Sequence, residues 1–195
     1  MLDYPHKVHL PLIERTLDRA STPTPRRTSI SEENGELGAV DHLQEVTGRD
    51  VGLLRPTLDA DVADLVKRFD DGVAWDEAVA FNGRNVTNVV YFDGQTLHII
   101  EAKGGAGKYG DRLSVTGIGD TVTNRISQTD GRYPLDVAHN MRSSRISDGR
   151  NAIGRIVERS YCADTVRYSG VRTNGHQTGE SASTVVEHIF RTPTS

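Results

Sequence analysis

The chain has one cysteine, Cys162, in 195 residues, so an internal disulfide is excluded. There is no Cys/His spacing of the zinc-ligand kind either, so neither bridges nor a structural zinc ion can hold the fold. Cys162 itself reads as a partly buried structural thiol without a catalytic role. Aromatic residues make up 6% and apolar residues 35% of the chain, beside 19 glycines, which predicts a modest core and much loop. No apolar run approaches the ~20 residues of a membrane-crossing helix. The first twenty residues, MLDYPHKVHLPLIERTLDRA, lack the apolar centre of a signal peptide. There is no Gly-Lys-Ser/Thr phosphate loop and no Gly-x-Ser-x-Gly elbow, which turns the reading away from a nucleotide cradle and a serine hydrolase.

What is present is enough chain for one domain with a real core, or one domain with an appended segment. The net charge of −4 does not advertise a nucleic-acid binder, but the charge is unevenly spread. Residues 1–81 carry 16 acidic and 9 basic side chains, and residues 82–195 carry 11 and 14. Between Arg142 and Arg172 there are seven arginines against three acids. Such a basic surface suits a phosphate backbone, and it equally suits solvated helix faces.

Residues 1–33 read as a peripheral arm, with a short helix around Leu10 to Leu17 and a linker over 21–33, and residues 34–195 as the globular domain. Leu37, Val40, Leu43 and Val46 predict a helix over 36–47, closed by Gly48. Residues 50–58 are expected to be extended. A helix is expected over 59–69 with Asp59 as its N-cap, and one more helical turn over 75–81 with Trp75 as a core anchor. The six glycines of 104–119 predict a loop. Residues 121–141 read as helix broken at Gly131 and Pro134, and 147–161 as a further helix. Strands are expected over 165–172 and 184–190, with a loop over 174–181.

The most informative stretch is Asn88 to Gly105, NVVYFDGQTLHIIEAKGG. Two strand-forming runs, Val86 to Phe92 and Thr96 to Ala102, flank Asp93-Gly94, which suits a two-residue type I′ turn. That turn pairs Val90 with Leu97, Asn88 with Ile99 and Val86 with Glu101. Glu101 and Lys103 alternate with Ala102 and therefore share one face. His98 falls on the opposite face as a packing residue. A carboxylate and an ammonium at the end of an apolar strand are costly to desolvate unless paired or bound. One reading is a surface ion pair on an edge strand, worth little. The other is a metal-dependent phosphodiesterase centre. There Glu101 and the Ala102 carbonyl would hold Mg²⁺ while Lys103 would orient the attacking water.

The order of an early helical Glu, hairpin, Glu-x-Lys, helix and strand resembles the PD-(D/E)xK restriction-endonuclease-like fold, an α/β architecture with a central mixed sheet flanked by helices. The run Glu101-Ala102-Lys103-Gly104-Gly105, then Tyr109-Gly110-Asp111-Arg112, Gln128, Tyr133 and Asn140-Met141, is similar to the C-terminal nuclease domains of bacterial polymorphic toxins. The likeness runs from about Gly35 to Arg172. It implies Mg²⁺- or Mn²⁺-dependent hydrolysis of nucleic acid, most often DNA, with RNA open. It also implies delivery from a bacterial producer into a target cell and a cognate immunity protein. Glu101 and Lys103 carry over directly, Gln128 as a polar helper, and Glu36 as the helical glutamate facing the site. Arg112, Arg132, Arg142 and Arg145 are the expected nucleic-acid contacts. The family's first acid, an Asp, falls at Asn88, whose amide lacks the negative charge. Either Glu36, Asp76 or Glu77 replaces it, or the domain is inactive or weak, or Asn88 is an inactivating substitution. A non-catalytic module that binds nucleic acid or protein through the same cleft stands as the alternative class.

Overall fold

The computed structural model describes residues 24–81, 86, 88–105, 108–143, 149–174 and 183–190. The expected N-terminal helix around Leu10 to Leu17, the 174–181 loop beyond Asn174, and Arg145 lie outside the described residues. The chain is mixed α/β. A six-stranded sheet runs in the order β1-β2-β3-β4-β7-β8. Its strands are β1 (Gly52–Leu54), β2 (Glu77–Ala80), β3 (Val89–Phe92), β4 (Leu97–Gly104), β7 (Val166–Asn174) and β8 (Ser183–Phe190). β1 and β2 pair in parallel, as do β4 and β7, while the other neighbours are antiparallel. A separate two-stranded ribbon joins β5 (Asp111–Leu113) to β6 (Arg125–Ser127). The helices are α1 (Thr24–Thr47), α2 (Ala63–Asp70), α3 (Tyr133–Ser143) and α4 (Arg150–Cys162).

Several expectations change. The helix expected from residue 36 begins at Thr24, so residues 24–33, read as linker, are its first turns. Its buried stripe runs through Gly35, Glu36, Ala39, Val40, His42 and Leu43, and Val46 is exposed. Small residues four apart let the helix approach the sheet closely, and that outweighs the larger apolar side chains in choosing the face. Residues 59–69 start as a 3-10 turn over Asp59–Val62. Asp59 does not cap it; its Oδ1 accepts the Gly149 N–H at 2.8 Å. Residues 77–80 are strand β2, not helix. Ala78, Val79 and Ala80 are all buried between β1 and β3, and a strand covered on both faces shows no alternation to read. Trp75 is the expected anchor: it is buried, and its Nε1 donates to the Leu65 carbonyl at 2.8 Å. The 104–119 loop contains β5, and β6 replaces the first part of the helix expected from 121. Cys162 is exposed at the end of α4.

The hairpin forms, with a longer turn. Asp93 Oδ1 accepts the N–H groups of Gln95 and Thr96 at 2.9 and 2.8 Å, and the Asp93 N–H donates to the Thr96 carbonyl at 3.2 Å. His98 Nε2 lies 2.8 Å from Asp93 Oδ2. These bonds favour a four-residue connection over the two-residue turn. The register becomes Val89↔Ile100, Val90↔Ile99, Tyr91↔His98 and Phe92↔Leu97. Carried one residue further, it sets Asn88 opposite Glu101 rather than Ile99.

Candidate active site at the end of β4

β4 lies in the interior of the sheet between β3 and β7, so the edge-strand reading of Glu101 and Lys103 does not hold. Glu101 is 1% exposed. Its Oε1 accepts from Lys103 Nζ at 2.9 Å, and Gln128 Nε2 donates to the same oxygen. Burial pushes the Glu101 carboxyl above the usual carboxylate range, and Lys103 opposes that shift. The ladder to β3 stops at Val89–Ile100, and the Ala102 carbonyl accepts from Asn88 Nδ2 at 3.2 Å. A buried carboxylate, a main-chain carbonyl and a side-chain amide therefore meet where the expected site lies.

Gln128 is fixed from several sides. Its N–H donates to the Gly110 carbonyl at 2.9 Å, and its Oε1 accepts the Gly110 N–H at 2.6 Å. Its carbonyl accepts the hydroxyl of Tyr168, a buried residue of β7, at 2.6 Å. Tyr133, at the start of α3, lines the same cleft as Gln128. Burial and the Glu101 carboxylate push the Tyr133 phenol up to about 12. Burial likewise holds the Tyr168 phenol well above its ordinary range.

Asn88, Glu101, Gln128 and Tyr133 line a cleft of about 540 Å³, together with Glu32, Val86, Lys103, Gly110, Asp111 and Arg112. Glu36 is not among the lining residues. It is buried, and Arg55 Nη2 and Nε donate to its Oε2 at 2.6 and 3.1 Å. Burial raises its carboxyl, opposed by Arg55. Glu32, one helical turn earlier, lines the cleft instead. Asp76 is paired to Arg68 and the Glu77 side chain lies against Gly52, so neither takes the place of the missing acid. Of the expected arginines among the described residues, Arg112 lines the cleft, while Arg132 pairs with Asp130 at 2.7 Å and Arg142 with Glu158. Glu32, Asp111 and Tyr133 are the polar side chains of the lining to which the sequence reading assigned no role. Tyr133 and Asp111 stood within the motif; the position of Glu32, four before Glu36 on one helix face, was the signal for it.

The groups here that could serve a metal as ligands are the Glu101 carboxylate and the Ala102 carbonyl, both oxygen, while Asn88 presents its Nδ2 to that carbonyl. Among the described residues no three His, Cys, Asp or Glu side chains gather into a metal cluster. Oxygen ligands of this kind are the type that a hard cation such as Mg²⁺ takes.

Comparison with protein-family models, with curated proteins and with solved structures finds no match for this chain.

Proposed function

We propose that the protein is a metal-dependent nuclease of restriction-endonuclease-like architecture, hydrolysing phosphodiester bonds of DNA. The observation that carries the reading is Glu101, fully buried on an interior strand, shared by Lys103 and Gln128 beside the Ala102 carbonyl and Asn88. Burying a carboxylate is costly, and a pairing of this kind at a polar cleft suits a charged ligand. Glu101 and the Ala102 carbonyl would hold Mg²⁺ or Mn²⁺. The bound ion would neutralise charge on the phosphoryl oxygens and acidify a coordinated water.

Lys103 is half-turned to the cleft, with its side chain 18% exposed. Its two N–H donors beyond the Glu101 bond can orient the attacking water and meet charge as it grows on the phosphate. Gln128 holds Glu101 in its rotamer, and the bonds to Gly110 and Tyr168 hold Gln128. By resemblance the proposal extends to an antibacterial toxin domain that acts in the target-cell cytoplasm and is covered by a cognate immunity protein.

The test is plasmid nicking in Mg²⁺ and in Mn²⁺, with an RNA substrate alongside. The chain as given is compared with Lys103→Ala and Asn88→Asp. Cleavage that is lost in Lys103→Ala supports the reading. Cleavage only in Asn88→Asp identifies Asn88 as the silencing residue. Cleavage of RNA alone moves the substrate to RNA. If none of the three cuts either polymer, the catalytic reading is abandoned for a binding module.

A further inference from the structure

Among the described residues, Arg112 is the arginine that lines the cleft, and one of its nitrogens has no hydrogen-bond partner. It stands on β5, lines the cleft, and its side chain is 11% exposed. Its Nε–H donates to the Leu113 carbonyl at 3.2 Å, and Nη2 lies 3.3 Å from Asp136 Oδ2. Its Nη1 is buried with no hydrogen-bond partner. A guanidinium carries five N–H donors, and a buried cationic donor without an acceptor is costly. Its ionic partner, Asp136 Oδ2, is likewise buried without a hydrogen bond, so the pair is under-bonded where it meets the cleft.

Asp136, on α3, is fully buried. Its Oδ1 accepts from Ser114 Oγ at 2.7 Å, Thr116 Oγ1 at 2.8 Å, the Val115 N–H at 2.9 Å and the Thr116 N–H at 3.0 Å. The carboxylate thus pins the 114–116 turn, and Arg112 receives the longest of its contacts. Oδ2 is left facing the guanidinium, which orients the fork. Arg112, Tyr133 and Glu101 line the same cleft. The other cation lining the cleft, Lys103, is already bonded to Glu101.

We propose that Arg112 binds a substrate phosphate in this cleft and that Asp136 is its positioning residue. The planar fork matches two phosphate oxygens at once. This rests on the phosphodiesterase reading. It adds which side chain takes the phosphate and what aims it.

The test is equilibrium binding of a short fluorescein-labelled DNA duplex, read by anisotropy over a salt series. EDTA is present so that no cleavage occurs. Arg112→Gln is expected to weaken binding several-fold and to flatten the slope of log K against log salt by about 0.9, the loss of one phosphate contact. Asp136→Asn makes the protein one charge more positive, so electrostatics alone would tighten binding. A positioning role predicts that it weakens. Arg132→Gln, the surface control, is expected to change affinity much less. Thermal melts establish that each variant is folded. Should Arg112→Gln not fold, Arg112→Lys keeps the cation; it is expected to keep the salt slope and lose affinity. Native affinity in Arg112→Gln or Arg112→Lys, or tighter binding by Asp136→Asn, overturns the proposal. A native protein that binds no duplex, in EDTA or with Ca²⁺ in its place, overturns the nucleic-acid reading on which it rests.

Discussion

Gly35 of α1 lies directly on the main chain of Gly104 at the end of β4. A Cβ at position 35 would stand 3.0 Å from Gly104 N and 3.0 Å from the Lys103 carbonyl carbon. In an exposed helix interior, Gly→Ala would be worth up to about 1 kcal/mol of stability. Here contact with rigid backbone reverses the sign. Gly35→Ala is expected to destabilise by about 1–3 kcal/mol, in the range of overpacking. It should also reduce nicking, because the atoms it displaces carry Lys103. Urea unfolding with a parallel activity assay checks both, and a stabilised Gly35→Ala would contradict the close approach.

Glu101 gives a pH prediction. Its folded-state pKa is raised, chiefly by burial. Its contribution to stability is therefore fully present below the ordinary carboxylate pKa and is lost as pH rises through the folded value. Metal-free protein should melt higher in mild acid than at neutral pH. Glu101→Gln should flatten that dependence and raise Tm at neutral pH, by about 2–4 °C for each kcal/mol recovered, while abolishing cleavage. Lys103→Ala should do the opposite to stability, costing about 1–3 kcal/mol at neutral pH by stripping a buried carboxylate of its partner. Calorimetry across pH reads all three proteins.

Glu32 lines the cleft, whereas Glu36, the glutamate the resemblance implied, is held by Arg55. Glu36→Gln is expected to leave the Mg²⁺ dependence of cleavage unchanged and to affect mainly stability through Arg55. Glu32→Gln is expected to raise the Mg²⁺ concentration needed for half-maximal rate by about 10-fold, the lower end for partners of a metal site. Metal titrations of the two variants decide it. If only Glu36→Gln shifts the midpoint, α1 presents its other carboxylate to the site.

Tyr168 tests the support behind Gln128. Its hydroxyl donates to the Gln128 carbonyl at 2.6 Å from inside the core. Tyr168→Phe removes that donor alone. It should cost about 1 kcal/mol and lower kcat up to about 10-fold with little change in KM, since Gln128 acts through Glu101. Loss of stability with native kcat would make the bond purely structural.

The stretch around Glu101 was legible because its signals are local. Period-two alternation puts Glu101 and Lys103 on one face whatever the fold, and Asp-Gly marks a turn between two β-prone runs. Helix α4 and strands β7 and β8 likewise stood in the sequence as unbroken patterns. Other features depend on partners distant in sequence. Strand β2 is buried on both faces, so its pattern carried no period. The hairpin register followed from what the Asp93 carboxylate bonds, and that shift brought Asn88 opposite Glu101. Which helical glutamate reaches the cleft was set by Arg55, nineteen residues away from Glu36. Burial of Glu101 required β7 on its far side and the β5–β6 ribbon to deliver Gln128. The sequence by itself determined which residue types are available and how they alternate. The tertiary structure decided which charges are neutralised by neighbours and which face the cleft, because desolvation and pairing depend on contacts that no local pattern encodes.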